Sequence, residues 1–163
     1  MRLYTLVVLI TLLNSCGIYT FRDVTIPPEV RTVKVSYIEN RANYVNPQLS
    51  SRLTEQVQQR IINQTRLTRT ANDDAHYQIS GYVNNYSVST VTVAQGRSAG
   101  NRLTVGVHIV FNNSLTNKIQ EFDVSRDFDF GANLTLQQAE AQLMEDIVRN
   151  LSDEIFNRIF SNW

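Results

Sequence analysis

Between Leu103 and Phe111 every second residue is large and apolar: Leu103, Val105, Val107, Ile109 and Phe111. Arg102, Thr104, Gly106, His108 and Asn112 occupy the alternate positions. A period of two belongs to an extended chain, whose side chains point to opposite faces in turn. The stretch predicts a half-buried strand with one face in a core and the other toward water. A chain containing it needs a sheet with one polar side, and other elements to cover the apolar side.

The neighbouring segments supply the rest of a meander. Asn112-Asn113-Ser114 and Asn117 mark a short hairpin turn. Beyond it Phe122, Val124, Phe128 and Phe130 share one parity, with Glu121, Asp123, Asp127 and Asp129 on the other. Upstream, Tyr77, Ile79 and Val83 lie on one parity and Tyr82, Tyr86 and Val88 on the other. The phase must slip near Gly81 or Asn84-Asn85, which predicts a bulge; without one, the three residues form a binding patch on the opposite face. Ala94 to Gly100 reads as a loop. An earlier strand is expected where Val33, Val35 and Tyr37 alternate with Thr32, Lys34 and Ser36.

Two helices are predicted to cover the apolar face. Asn46-Pro47 is a good start signal, because asparagine can cap and proline at the first helical position gives up an N–H that has no partner anyway. Leu49, Leu53, Val57 and Ile61 follow at intervals of four, up to about Asn63. The second helix opens on a capping box, Thr135 with Gln138. Its stripe of Leu136, Ala139, Leu143, Ile147, Leu151, Ile155 and Ile159 runs almost to Trp163. The expected fold is α+β: a two-layer sandwich, a four-stranded sheet with two helices on one face, in the order β-α-β-β-β-α.

The N-terminus has a different character. Met1-Arg2 is a minimal positive start, residues 3–13 are an apolar run, and Leu13-Asn14-Ser15 leads into Cys16, the single cysteine of the 163-residue chain. The run is shorter than the roughly 20 apolar residues that span a bilayer, and its form is that of a secretory signal. Leu13 three before Cys16 and Ser15 one before it resemble the bacterial lipobox, although Asn14 is an unusual occupant of its position. A thiolate is a nucleophile that a lipid donor can alkylate, and two or more acyl chains, at about 0.8 kcal/mol per buried methylene, make a stable anchor. The expected division is therefore 1–15 signal peptide, 16–29 lipid-anchored tether broken by Pro27-Pro28, and 30–163 a single α+β domain. With one cysteine, no disulfide can form within the chain.

Signs of catalysis are scarce. The chain has two histidines, and neither His76 nor His108 stands in a metal-ligand spacing. Neither a nucleophile elbow nor a phosphate or dinucleotide loop is present. Asp123, Asp127 and Asp129 read as a solvated strand face, or as a cation site or acid/base pair. Net charge is zero, without the basic face of a nucleic-acid binder. No enzymatic activity, cofactor, metal or nucleic-acid partner is expected.

Six stretches stand in order along the chain: Cys16-Gly17-Ile18-Tyr19-Thr20-Phe21, Ile26-Pro27-Pro28-Glu29-Val30, Asn46-Pro47-Gln48-Leu49, Asn101-Arg102-Leu103-Thr104-Val105, Phe128-Asp129-Phe130, and Ile155-Phe156-Asn157 through Asn162-Trp163. Together they resemble the LptE-like lipopolysaccharide-assembly lipoproteins of the Bacteroidetes type. The resemblance implies a non-catalytic outer-membrane lipoprotein facing the periplasm. It would be anchored through acylated Cys16, plug and help assemble an LptD-like β-barrel translocon, and assist lipopolysaccharide delivery to the outer leaflet. Gly17 after the cysteine fits outer-membrane sorting in such proteins. The family's lipopolysaccharide-contacting basic residues fall outside the matching stretches. Arg97 and Arg102, beside the expected glycine-rich loop, are the candidate phosphate contacts, because guanidinium binds phosphate bidentately; as solvated loop charges they would have no such role. The other class open to such a chain is a lipoprotein activator of a periplasmic cell-wall synthase.

Overall fold

The computed structural model describes residues 26–161 apart from 94–96. The expected signal peptide, the tether as far as residue 25, and Cys16 lie outside the described residues.

The elements are β1 (Thr32–Val35), β2 (Glu39–Asn40), α1 (Leu49–Gln64), β3 (Thr68–Arg69), β4 (Tyr77–Val93), β5 (Arg97–Asn113), β6 (Lys118–Gly131) and α2 (Leu136–Phe160). They form one mixed sheet in the order β3-β1-β4-β5-β6, with β2 also paired to β4. β4, β5 and β6 make the expected antiparallel meander, with Ile79 opposite Phe111 and Ile109 opposite Phe122. β1 lies parallel to both β3 and β4.

Six strands replace the four expected. β2 and β3 are two residues each, too short for any periodicity to report, and pairing with a longer neighbour is what makes them strands. The first strand also stops early. Val33 and Val35 are buried, but Tyr37 is 57% exposed and Ile38 takes the core position instead. The chain breaks step there and resumes along β4 as β2, with Arg41 N–H donating to the Val83 carbonyl at 2.9 Å. The loop expected over 94–100 is shorter, because Arg97 to Gly100 already belong to β5. A register shift between Val91 and Val93 absorbs the extra residue in β5.

The bulge falls at Asn84, where the register slips between Val83 and Asn85. It separates the three residues of the second parity. Tyr82 stays on the open face, Tyr86 returns to the core at 5% exposure, and Val88 shares its parity but is 44% exposed. Gly106 sits across from the bulge, where a Cβ would come within 2.7 Å of the Asn84 side-chain oxygen. The absence of a side chain at that position lets Asn84 lie over the sheet.

Both helices pack on the face carrying Ile79, Val83, Leu103, Val105, Val107, Ile109 and Val124. Leu49, Leu53, Val57 and Ile61 of α1 and Ile147, Leu151 and Ile155 of α2 are each at most 1% exposed. Burial of such a side chain stabilises by about 1.5–3 kcal/mol. An ion pair between Arg60 and Asp153 joins the two helices. The Thr135/Gln138 capping box of α2 is formed on both sides. The start of α1 differs from expectation. Asn46 Oδ1 accepts the Gln48 N–H at 2.9 Å, closing a turn ahead of the helix, and Gln48 at the cap makes no side-chain cap bond.

Candidate functional site

The uncovered face of the sheet carries the polar parities of β4, β5 and β6 side by side. Antiparallel register sets Arg102 opposite Asp129, Thr104 opposite Asp127 and His108 opposite Asp123. Arg102 Nε donates to Asp129 Oδ1 at 2.6 Å and Nη2 to Oδ2 at 3.0 Å, a bidentate fork. Asp127 Oδ2 is 3.8 Å from the same guanidinium, and its Oδ1 accepts the Thr104 hydroxyl at 2.7 Å. The hydrogen bond and charge of Arg102 hold the Asp129 carboxyl below the usual aspartate range, and Asp129 raises Arg102 in return.

Further along, His108 Nδ1 lies 3.0 Å from Asp123 Oδ1, which also accepts from Asn84 Nδ2 at 3.0 Å. Tyr82 packs beside the imidazole with ring centroids 5.2 Å apart, and the Arg41 guanidinium sits 4.5 Å above the Tyr82 ring. His108 is thus half-buried among partners and not simply solvated. Each aspartate of the β6 row has a partner on β4 or β5. Among the described residues no group of three or more His, Cys, Asp or Glu side chains is arranged to hold a metal ion.

Of the candidate contacts, Arg102 is therefore engaged by two carboxylates. Arg97 is in the strand and pairs with Val93 across the hairpin. Both lie on β5, not on a loop. Cys16 lies outside the described residues.

A second polar constellation sits at the edge of the helix layer and was not expected. Glu140 of α2 is 6% exposed. Its Oε1 accepts the Tyr86 hydroxyl at 2.6 Å and its Oε2 the Tyr44 hydroxyl at 3.2 Å. The two rings stack with centroids 5.3 Å apart. Burial pushes the Tyr86 phenol far up, and the bond to Glu140 adds to the shift. Burial likewise raises Tyr44. The cluster forms one wall of a groove of about 440 Å³ bordered by Asn46, Pro47, Arg52, Gln137 and Met144. One signal was available in the sequence: Glu140 is a charge inside the apolar stripe between Leu136 and Leu143, and a buried carboxylate requires donors.

Residues 30–159 match the profile of the LptE family, described as lipopolysaccharide-assembly. No curated protein sequence matches the chain significantly. Several solved structures share the fold. A PelC variant from Paraburkholderia phytofirmans, solved as a dodecamer, is 11% identical with a TM-score of 0.51, over 85% of this chain and 95% of that one. A hypothetical protein from Chlamydia trachomatis is 11% identical with a TM-score of 0.51, over 81% of this chain and 99% of that one. A protein from Xanthomonas campestris is 12% identical with a TM-score of 0.51, over 83% and 91%. At such identities the likeness is one of fold alone.

Proposed function

The chain belongs to the LptE lipopolysaccharide-assembly family, and from that membership we propose that it is an outer-membrane lipoprotein anchored through Cys16. It plugs and helps assemble the β-barrel translocon for lipopolysaccharide and assists delivery of the lipid to the outer leaflet. Its role is binding and assembly without catalysis. The family match over residues 30–159 carries this reading. The architecture supports it: a sheet with one polar face left open by the helices, extended by a long hairpin, offers a surface to a large partner. A bidentate arginine on that face is a group that can exchange a carboxylate for a phosphate.

Two experiments test it. Crosslinking followed by purification from outer membranes is expected to recover a β-barrel protein. Recovery of a periplasmic cell-wall synthase in its place would overturn the translocon reading in favour of the activator. Cys16→Ala is expected to leave an unprocessed or soluble precursor that takes up no palmitate. Persistent palmitate incorporation in that variant would end the anchoring half of the proposal.

A further inference from the structure

The two long free edges of the sheet are built differently. β6 borders the sheet on one side, and its strand carries Lys118, Glu121, Asp123, Arg126, Asp127 and Asp129. Charges on an edge strand discourage another chain from pairing with it. The opposite border is β4, and only its first half is covered. β1 and β2 pair with Tyr77 to Val83, and among the described residues no strand pairs with that side of β4 beyond Val83. From Asn84 to Val93 the strand has neither a charge nor a proline, and Tyr, Val and Thr favour the extended conformation.

The geometry fixes which backbone groups point toward the outer edge. In the covered half, Ser36 N–H donates to the Ile79 carbonyl at 2.8 Å and Arg41 N–H to the Val83 carbonyl at 2.9 Å. Residues of that parity place side chains toward the helices and backbone groups toward the outer edge. The bulge at Asn84 passes the parity to Tyr86, Val88 and Thr90. Ser87 to Thr90 are exposed, and among the described residues no strand pairs with the outward N–H and C=O groups there. Beside them lies an apolar surface, Val88 at 44% exposure and Tyr44 at 38%, stacked on Tyr86.

We propose that the outer edge of β4 from Tyr86 to Thr90 accepts an extended, uncharged segment of a partner protein as an added strand. Main-chain bonds would supply the affinity, and side-chain alternation the selectivity. Apolar residues of the segment would rest on Val88 and Tyr44, and small polar ones would follow Ser87 and Ser89. A charge in the segment would find no counter-charge between Asn84 and Val93. A second copy of this chain is the weaker occupant. Two whole chains paired through so few residues would bury well short of the roughly 1,200–2,000 Å² of a stable association, whereas an extended segment needs only the main-chain pairing of the edge itself. The proposal rests on neither lipid anchoring nor lipopolysaccharide binding.

The test uses the full chain in detergent and, as probe, a ten-residue peptide of alternating valine and threonine. Amide hydrogen exchange at Val88 and Thr90 is expected to slow at least tenfold with peptide, while the outer edge of β6 stays unchanged. Val88→Pro removes an outward N–H and no bond to β5, so it should abolish the slowing and leave the circular dichroism spectrum intact. Should that variant unfold, Thr90→Lys is expected to give the same loss with the backbone unaltered. Lipopolysaccharide binding in the same samples should not change, which separates failure here from failure of the proposed function. No slowing at saturating peptide, equal slowing along β6, or slowing that survives both substitutions would overturn the proposal. So would peptide-free slowing that rises with protein concentration alongside a sedimenting dimer, which would give the edge to a second copy.

Discussion

β4 is one continuous strand of 17 residues with two different halves, divided at Asn84. Before the bulge, Tyr77, Ile79 and Val83 are at most 7% exposed, under the helices and between two strand neighbours. After it, among the residues to Val91 whose burial is described, Tyr86 alone is buried, and Ser87 to Thr90 are exposed with a neighbour on one side. Both halves alternate in sequence. Alternation reports that a strand has two distinguishable faces and not that either is covered. What separates the halves is the reach of the helices and of β1 and β2, a property of the rest of the chain.

The largest expected effect lies in the covered half, on the strand opposite. Ile109, fully buried across from Gly81 and Phe122, should not tolerate Asp. A buried unpaired charge costs about 3–5 kcal/mol, enough to unfold a domain of ordinary stability, about 5–15 kcal/mol. His108→Asp, one residue away on the open face, adds a carboxylate beside Asp123 and should cost about 0.2–1 kcal/mol. Thermal melts of the two variants check the parity, and equal melting temperatures would refute it.

The same strand allows a closer contrast. Val83→Ala empties a site of 0% exposure and is expected to cost about 2–3 kcal/mol. Val88→Ala, after the bulge, should stay within about 0.5 kcal/mol. Urea denaturation of both would test the division of β4 directly. A large loss at Val88 would mean that the helix layer reaches further along the hairpin.

Tyr86 stands at the boundary, where the bulge returns the strand to the core. Tyr86→Phe removes the hydrogen bond to a buried carboxylate and should cost about 1.5–3 kcal/mol. The phenol is raised in the folded state by burial. Its stability contribution is therefore complete below the unfolded tyrosine value, near 10, and is lost as pH rises through the higher folded value. The wild type should lose stability above about pH 10, and Tyr86→Phe should flatten that loss. An unchanged alkaline profile would place Tyr86 in a less enclosed setting.

What could be read in advance follows the same division. The β5 alternation, the stripe of α2 and its capping box depend on residues a few positions apart, and each formed as expected. The bulge was narrowed to Gly81 or Asn84-Asn85, because a phase slip shows in one strand's own pattern. The two-residue strands β2 and β3 could not be seen, since they exist only through their pairing with β4 and β1. Tyr44 belongs to no element, so nothing local placed it on Tyr86. Arg102 looked free because its partner is 27 residues away. Once the β5–β6 register is known, Asp129 falls opposite it.

That pair supplies the smallest effect and the one nearest to function. Asp129 is exposed and its carboxyl is lowered by Arg102. Whatever the pair contributes to stability is therefore complete above the unfolded aspartate value, about 3.9, and disappears as pH falls through the lower folded value. Asp129→Asn should flatten the stability profile in that acid window, and added salt should shrink the wild-type effect by screening. The same substitution leaves Asp127 at 3.8 Å and removes the nearer of the two carboxylates that hold the Arg102 guanidinium. If that group is a phosphate contact, Asp129→Asn should tighten lipopolysaccharide binding at low ionic strength, and Arg97→Glu with Arg102→Glu should weaken it. Both changes should diminish as salt rises. Titration with lipopolysaccharide at two salt concentrations, with circular dichroism as the folding control, checks the pair of outcomes. Unchanged binding in both variants would make the Arg102–Asp129 fork a purely internal contact of the open face, leaving that face to a protein partner.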